Sequence, residues 1–268
     1  MHIIEKAKEI KTTDASVKSI RIIGSEYVDI ELNCPFVAEH ALPGQFVMVH
    51  TLNETLQNLL YRPFDIAQTD RSNGSFRLLV KITGKETLNL SHLKTEEGIR
   101  VTGPLGKGIV DFDSRSIGLL VRGVGSAAVI SLAQKARQEG IKVYTFFSAS
   151  TGERLIGKEY LREFSDELFI ITDDGSEGHH GDAREVVSSF LEKREIQSLY
   201  TCGSRRFARY VQGLNREGKT EGYIFLEELM GCGIGYCHGC AVKKAKAEGY
   251  YLVCVDGPIF SADEVEIP

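Results

Sequence analysis

Residues 231–242 read Gly-Cys-Gly-Ile-Gly-Tyr-Cys-His-Gly-Cys-Ala-Val, and residues 251–258 read Tyr-Leu-Val-Cys-Val-Asp-Gly-Pro. Cys232, Cys237 and Cys240 keep the spacing C-x4-C-x2-C, and thirteen residues separate Cys240 from Cys254. That is the ligand spacing of a plant-type 2Fe-2S cluster. Structural zinc sites pair two short Cys knuckles, whereas here only Cys237 and Cys240 make one. Iron-sulfur is therefore the leading reading, with zinc or unligated thiols as alternatives. Gly231, Gly233, Gly235 and Gly239 interleave these ligands, which lets backbone N–H groups approach thiolate and sulfide. The other two cysteines stand apart: Cys34 precedes Pro35 and reads as a packed or surface thiol, and Cys202 lies upstream of the cluster. A C-terminal lobe of this length, about 221–268, is too short to fold alone without its metal.

Working outward, the chain of 268 residues is 42% hydrophobic and 26% charged, ordinary values for a folded protein. No apolar run reaches the roughly 18 residues a membrane helix needs, so no membrane partner is expected. The formal net charge of -5 offers no footprint for a phosphate backbone, which excludes nucleic acid from the expected partners. Residues 1–13 mix Glu5, Lys6, Lys8 and Glu9 among isoleucines, unlike a signal peptide. The expected compartment is the cytoplasm, where crowded thiols more often hold metal than form disulfides.

Upstream of the cysteines the chain changes rhythm once. Over 1–112, short β segments at 17–23, 27–32, 45–50, 76–82 and 99–102 alternate with turns, and a helix is expected near 87–93. This predicts an antiparallel β-barrel. Over 113–220 strands alternate with helices: strands at 117–121, 142–147, 168–172 and 198–201, helices at 126–138, 182–194 and 204–215. That is the pattern of a parallel α/β sheet. The expected plan is thus barrel (1–112), α/β nucleotide-binding domain (113–220) and cluster lobe (221–268).

Two segments carry further chemistry. Gly123-Val124-Gly125 follows the first α/β strand and opens a helix, where a pyrophosphate could approach the backbone, or where a tight βα turn could stand with no ligand. Arg62-Pro63-Phe64-Asp65-Ile66 offers an arginine that reads as a phosphate clamp or as a solvated loop residue. Asp173, in Thr172-Asp173-Asp174-Gly175, sits at a strand end where such sheets bind ligands, or makes only an Asx turn. His179-His180 is adjacent rather than at chelating spacing and reads as a solvated loop.

The order of R-P-x-x-I, V-K-I-T-G-K-E-T-L, G-P-L-G-K-G, G-V-G, T-D-D-G-S-E-G-H-H-G, T-C-G and the paired E-x-x-M-x-C-G-x-G-x-C-x-x-C and C-x-D-G-P motifs resembles, over nearly the whole chain, the electron-transfer subunits of bacterial dihydroorotate dehydrogenase B, in the ferredoxin reductase superfamily. The resemblance implies FAD held by the barrel through Arg62, Pro63, Phe64, Asp65, Leu79, Val80, Lys81, Glu86 and Thr87. It implies NAD(P)H as donor in the α/β domain, near Gly123, Gly125 and Asp173, and Cys202-Gly203 beside both rings, with a buried structural thiol as the other reading of Cys202. The 2Fe-2S ligands would be Cys232, Cys237, Cys240 and Cys254. A flavin accepts electrons in pairs and releases them singly, as an iron-sulfur acceptor requires. The implied partner is an FMN-containing dihydroorotate dehydrogenase catalytic subunit of pyrimidine synthesis, in a heterotetramer, or a similar redox partner. No acid or base catalyst is expected.

Departures from the family pattern set the alternatives. Asp65 replaces a hydroxyl residue; ionised, it would disfavour reduced flavin, and protonated, it would donate a hydrogen bond. Glu86 adds an acid where phosphate approaches, and Arg122, Arg205 and Arg206 are extra cations that meet a phosphate or solvate a face. The competing readings are an NADPH-linked ferredoxin or sulfur reductase subunit, and a non-enzymatic metal-binding module with decayed flavin and nucleotide sites.

Overall fold

The computed structural model describes residues 3–52, 60–193 and 195–267; residues 1–2, 53–59, 194 and 268, which fall within ranges read above, lie outside the described residues. Seven antiparallel strands form the first sheet, in the order Arg62–Asp65, Phe46–Thr51, Gly98–Leu105, Lys11–Ile23, Tyr27–Asn33, Ser75–Lys81 and Gln68–Asp70. Its apolar residues recur at every second position, as in Val28, Ile30 and Leu32, Val47 and Val49, or Phe76, Leu78 and Val80, and together they make one core. A period of two sends them all to the concave side. The expected barrel is a curled sheet: its two edges are consecutive strands separated by Ile66 and Ala67, and no ladder joins them.

Two short helices decorate this sheet. Lys85–Ser91 starts two residues before the expected helix, because the Thr87 hydroxyl accepts the N–H groups of Thr83 and Gly84 and so fixes the first turn. Pro35–His40 was not legible beforehand: six residues are too few to show a helical period, although Pro35 at the first turn is a start signal.

The second sheet runs His179–His180, Glu167–Thr172, Lys142–Ala149, Ser116–Arg122, Ser198–Cys202 and Glu221–Phe225, all parallel, and is finished by Ile259–Ser261 lying antiparallel. Ser126–Gln138 forms the helix read from sequence, and its Ala127, Ala128, Val129, Ile130, Leu132, Ala133 and Ala136 are all buried. Alanine at so many positions lets it lie close against both sheets. Lys158–Phe164 is an additional helix, Ala183–Glu192 begins at the side-chain cap of Asp182, and Arg205–Arg216 at that of Ser204. His179 and His180 are exposed, as a solvated loop would have them, but they form a two-residue edge strand. Strands 221–225 and 259–261, inside the region read as the cluster lobe, extend the parallel sheet.

The two sheets share one apolar cluster, in which Tyr27 and Leu79 of the first join Val121 of the second, Ala127 and Ile130 of the helix Ser126–Gln138, and Ile156. Beside it, buried Asp29 accepts hydrogen bonds from Arg77 at 2.6 Å, Arg21 at 2.9 Å and the Tyr160 hydroxyl at 2.6 Å. The cysteine lobe packs Val242, Val253, Phe260 and Val265 against Phe46, Met48 and Leu105 of the curled sheet.

Candidate cofactor cavity and cysteine cluster

All six cysteines are free thiols. Two of the four in the lobe come from the loop 231–237 and two from flanking structure: Cys240 precedes the strand Ala241–Lys243, and Cys254 lies in the single turn Val253–Asp256. Cys240 Sγ and Cys254 Sγ are 3.3 Å apart. The Cys237 N–H points to Cys232 Sγ at 3.4 Å. Burial resists charge on Cys232, but the N–H groups of Cys237, Ile234 and Tyr236 prevail and hold its thiol down at about 7. Cys254 is pushed up to about 12, first by burial and then by Cys240. Among the described residues no three His, Cys, Asp or Glu side chains converge as ligands of one ion would. The thiols come instead as two pairs around glycines; a Cβ on Gly231 or Gly239 would touch Cys237 Sγ at 3.5 or 3.6 Å. Four soft donors with backbone N–H groups aimed at sulfur fit a two-iron cluster.

A cavity of about 640 Å³ lies where curled sheet, parallel sheet and cysteine lobe meet. Its wall on the curled sheet carries Arg62, Pro63, Phe64, Asp65, Leu79, Lys81, Glu86 and Thr87. Val80 does not join them: in a strand its side chain points opposite to those of Leu79 and Lys81, and it is buried in the sheet core. The parallel sheet contributes Val124 and Ala127, and the segment 226–230, which the sequence reading left without a role, supplies the third wall. The E-x-x-M motif at Glu227 and Met230 was the signal that could have placed it. Arg62, Lys81 and Lys85 line the cavity as cations. Glu86 Oε1 is buried without a partner. An orphaned acceptor, several cations and a volume within the usual range for ligand pockets fit a ligand bearing hydroxyls and phosphates, as FAD does.

At the floor of the cavity stand two acids. Asp65, open to the cavity yet densely surrounded by protein, is pushed up to about 8 by burial and then by the charge of Glu227. Burial also raises Glu227, against which the Cys202 thiol donates a hydrogen bond to Glu227 Oε1 at 3.7 Å. Burial pushes the Cys202 thiol well up, Glu227 and Asp65 adding to it, so it is no thiolate nucleophile. Cys202, Gly203 and Glu227 line a smaller hollow of about 210 Å³ on the far side.

Gly123, Gly125 and Asp173 lie at the carboxyl ends of the parallel strands and do not line the main cavity. Gly125 is needed for a reason other than phosphate approach: a Cβ there would sit 2.7 Å from Cys202 and Gly203 backbone. Arg122 binds Asp173 through both guanidinium nitrogens, at 3.1 and 2.5 Å, and also Ser148 Oγ at 2.9 Å. Arg206 lies 3.7 Å from Asp182. The additional arginines 122 and 206 therefore face acids of the chain itself.

Residues 15–109 match the model of the oxidoreductase FAD-binding domain, and residues 227–266 that of the iron-sulfur cluster binding domain of dihydroorotate dehydrogenase B. A protein of Fusobacterium nucleatum named dihydroorotate dehydrogenase B (NAD(+)), electron transfer subunit, is 30% identical over 263 residues, 96% of this chain and 100% of its own. The chain belongs to this family of electron transfer subunits. The relative from Bacillus mycoides, of the same name, is 33% identical over 249 residues, 91% of this chain and 94% of its own. A solved structure reported for flavin-based electron bifurcation in an NADH-dependent reduced ferredoxin-NADP oxidoreductase superposes with a TM-score of 0.84 at 28% identity, over 94% of this chain and 90% of that one. In this family's frame the FAD-domain match ends at the curled sheet, and the cluster-domain match begins at Glu227, on the cavity wall. No helix among the described residues is long and apolar enough to cross a membrane.

Proposed function

We propose that the chain passes electrons from NADH, through FAD in the cavity of about 640 Å³ and a 2Fe-2S cluster, to the FMN-containing catalytic subunit of a dihydroorotate dehydrogenase in the cytoplasm. The observation that carries this reading is the segment 226–230: it walls the cavity and runs directly into Cys232. The two redox sites are thereby held next to each other by one stretch of backbone.

In this reading FAD, when bound, accepts electrons in pairs and releases them one at a time. The chain's own residues do the rest. Arg62, Lys81 and Lys85 offset phosphate charge, and Glu86 Oε1 accepts from a ligand donor. Pro63, Phe64 and Leu79 exclude water from the ring site. Cys232, Cys237, Cys240 and Cys254 hold the irons, and the N–H groups around Cys232 offset the negative charge of a thiolate cluster. Gly123, Gly125, Asp173, Cys202 and Gly203 border the nicotinamide end. In this reading 1–112 serves the flavin and 113–220 the nucleotide, and the cluster falls to the part of 221–268 that lies between the sheet strands Glu221–Phe225 and Ile259–Ser261.

Protein purified without air tests this. The expected result is FAD and two irons per chain, bleaching by NADH, and copurification of an FMN-containing subunit on coexpression. A colourless chain containing zinc would overturn it. The likeness at 28% identity to the structure reported for an NADH-dependent reduced ferredoxin-NADP oxidoreductase supports, as second reading, a subunit that works with ferredoxin and NADP(H). Faster bleaching by NADPH, with ferredoxin as acceptor, would select it.

A further inference from the structure

We propose that Asp65 and Glu227 form a carboxyl pair that holds one proton in common at the floor of the cavity, and takes up a second when negative charge arrives there with the electrons. The proposal rests on the reading that this cavity holds FAD. Asp65 ends the edge strand Arg62–Asp65, Glu227 leaves the strand Glu221–Phe225, and both side chains line the same cavity. Only the docking of the two sheets puts them together.

Among the described residues, no cation figures in what shifts either acid. The influences on Asp65 are burial and Glu227, and those on Glu227 are burial and the Cys202 thiol. The other charged groups facing the cavity come from several elements: Arg62 on the strand of Asp65, Lys81 at the end of Ser75–Lys81, Lys85 and Glu86 on Lys85–Ser91, and Glu228 beside Glu227. Arg62 donates to the Leu60 carbonyl at 3.2 Å. Two acids in one poorly solvated site do not both ionise, because the second charge must be added against the first. The thiol of Cys202 donates to Glu227 at 3.7 Å and so favours the charge there, which leaves the proton on Asp65. In this arrangement Asp65 presents a neutral O–H donor rather than a carboxylate.

The consequence is a balance of charge. Nicotinamide delivers two electrons and one proton together, becoming oxidised, and the cavity gains one negative charge. That charge strengthens the basicity of ionised Glu227, which forms an O–H bond with a proton from solvent. In sum two electrons and two protons enter, and the net charge of the cavity is unchanged. As the electrons leave singly for the irons, both protons return to solvent.

The number of protons taken up per two electrons is read from the pH dependence of the flavin potential, titrated with redox dyes in the holoprotein at mildly alkaline pH. The expected result is two for the parent chain and one for Glu227→Gln, which retains bound flavin as proof of folding. One proton in the parent chain, or two in Glu227→Gln, overturns the pair while leaving the flavin reading intact; a chain that takes up no flavin overturns that reading itself. Infrared spectra of the flavin-free protein give a separate readout. A protonated-carboxyl band at neutral pH that disappears in Asp65→Asn is expected, and its absence from the parent chain overturns the shared proton.

Discussion

At the scale of single residues, the environment of Asp65 has a measurable cost. Its carboxyl is raised from the ordinary 3.8 to about 8, by burial and then Glu227. A group raised in the folded state contributes its stability in full below its unfolded value and loses it as pH climbs through the folded one. The melting temperature of flavin-free protein should therefore fall between about pH 4 and about pH 8, and Asp65→Asn should flatten that fall; circular dichroism melts check it. Gly203 shows a second kind of constraint. Its φ is +85°, and a Cβ would lie 2.1 Å from the Arg122 carbonyl oxygen. Gly203→Ala should cost at least about 1–3 kcal/mol in urea unfolding, through strain and displacement of the Arg122 loop. The Thr-Cys-Gly string was legible in the sequence, but its reading as a site near the rings did not include this packing role.

At the scale of elements, the cysteine loop and the strands around it divide differently from the sequence plan. Glu221–Phe225 and Ile259–Ser261 belong to the parallel sheet, and the cluster lobe hangs between them. Cys237→Ser should abolish the iron-sulfur signals while flavin remains, since Cys237 is exposed in the loop and outside the cavity lining. Hydrogen exchange should then quicken within 226–258 and stay slow in Ser116–Arg122 and Lys142–Ala149, because metal energy holds the lobe while apolar burial holds the sheet. Loss of protection in both regions would show the lobe to be part of one cooperative unit. The helix Ser126–Gln138 was readable to the residue because thirteen positions show a full period and Gly125 precedes it. The helix Lys158–Phe164 was not, since seven residues with two buried apolar side chains carry little pattern.

At the scale of the molecule, the cavity exists only while the sheets keep their mutual position. One contact that holds it is the acid Asp29, 1% exposed, on the curled sheet, bound by Arg77 of the same sheet and Tyr160 of the α/β domain. Tyr160→Phe should cost about 2 kcal/mol, the worth of a hydrogen bond to a charged group. Asp29→Asn should cost more, about 3–5 kcal/mol, because Arg77, with 18% of its side chain exposed, loses the charge that compensates it. Denaturant titrations of both variants check the order. By itself the sequence determined the spacing of the four lobe cysteines, the change from short antiparallel strands to strand-helix alternation, and the apolar faces of each strand. These are matters of spacing along a few turns or a few strands, and local geometry fixes them. Only the tertiary structure decided that Asp65 and Glu227 line one cavity with Cys202 bonded to Glu227, that Val80 turns away from the cavity, and that Gly125 and Gly203 are there for each other's backbone. Such contacts depend on how two sheets dock, and docking is set by the sum of many burial energies that no short stretch of sequence contains.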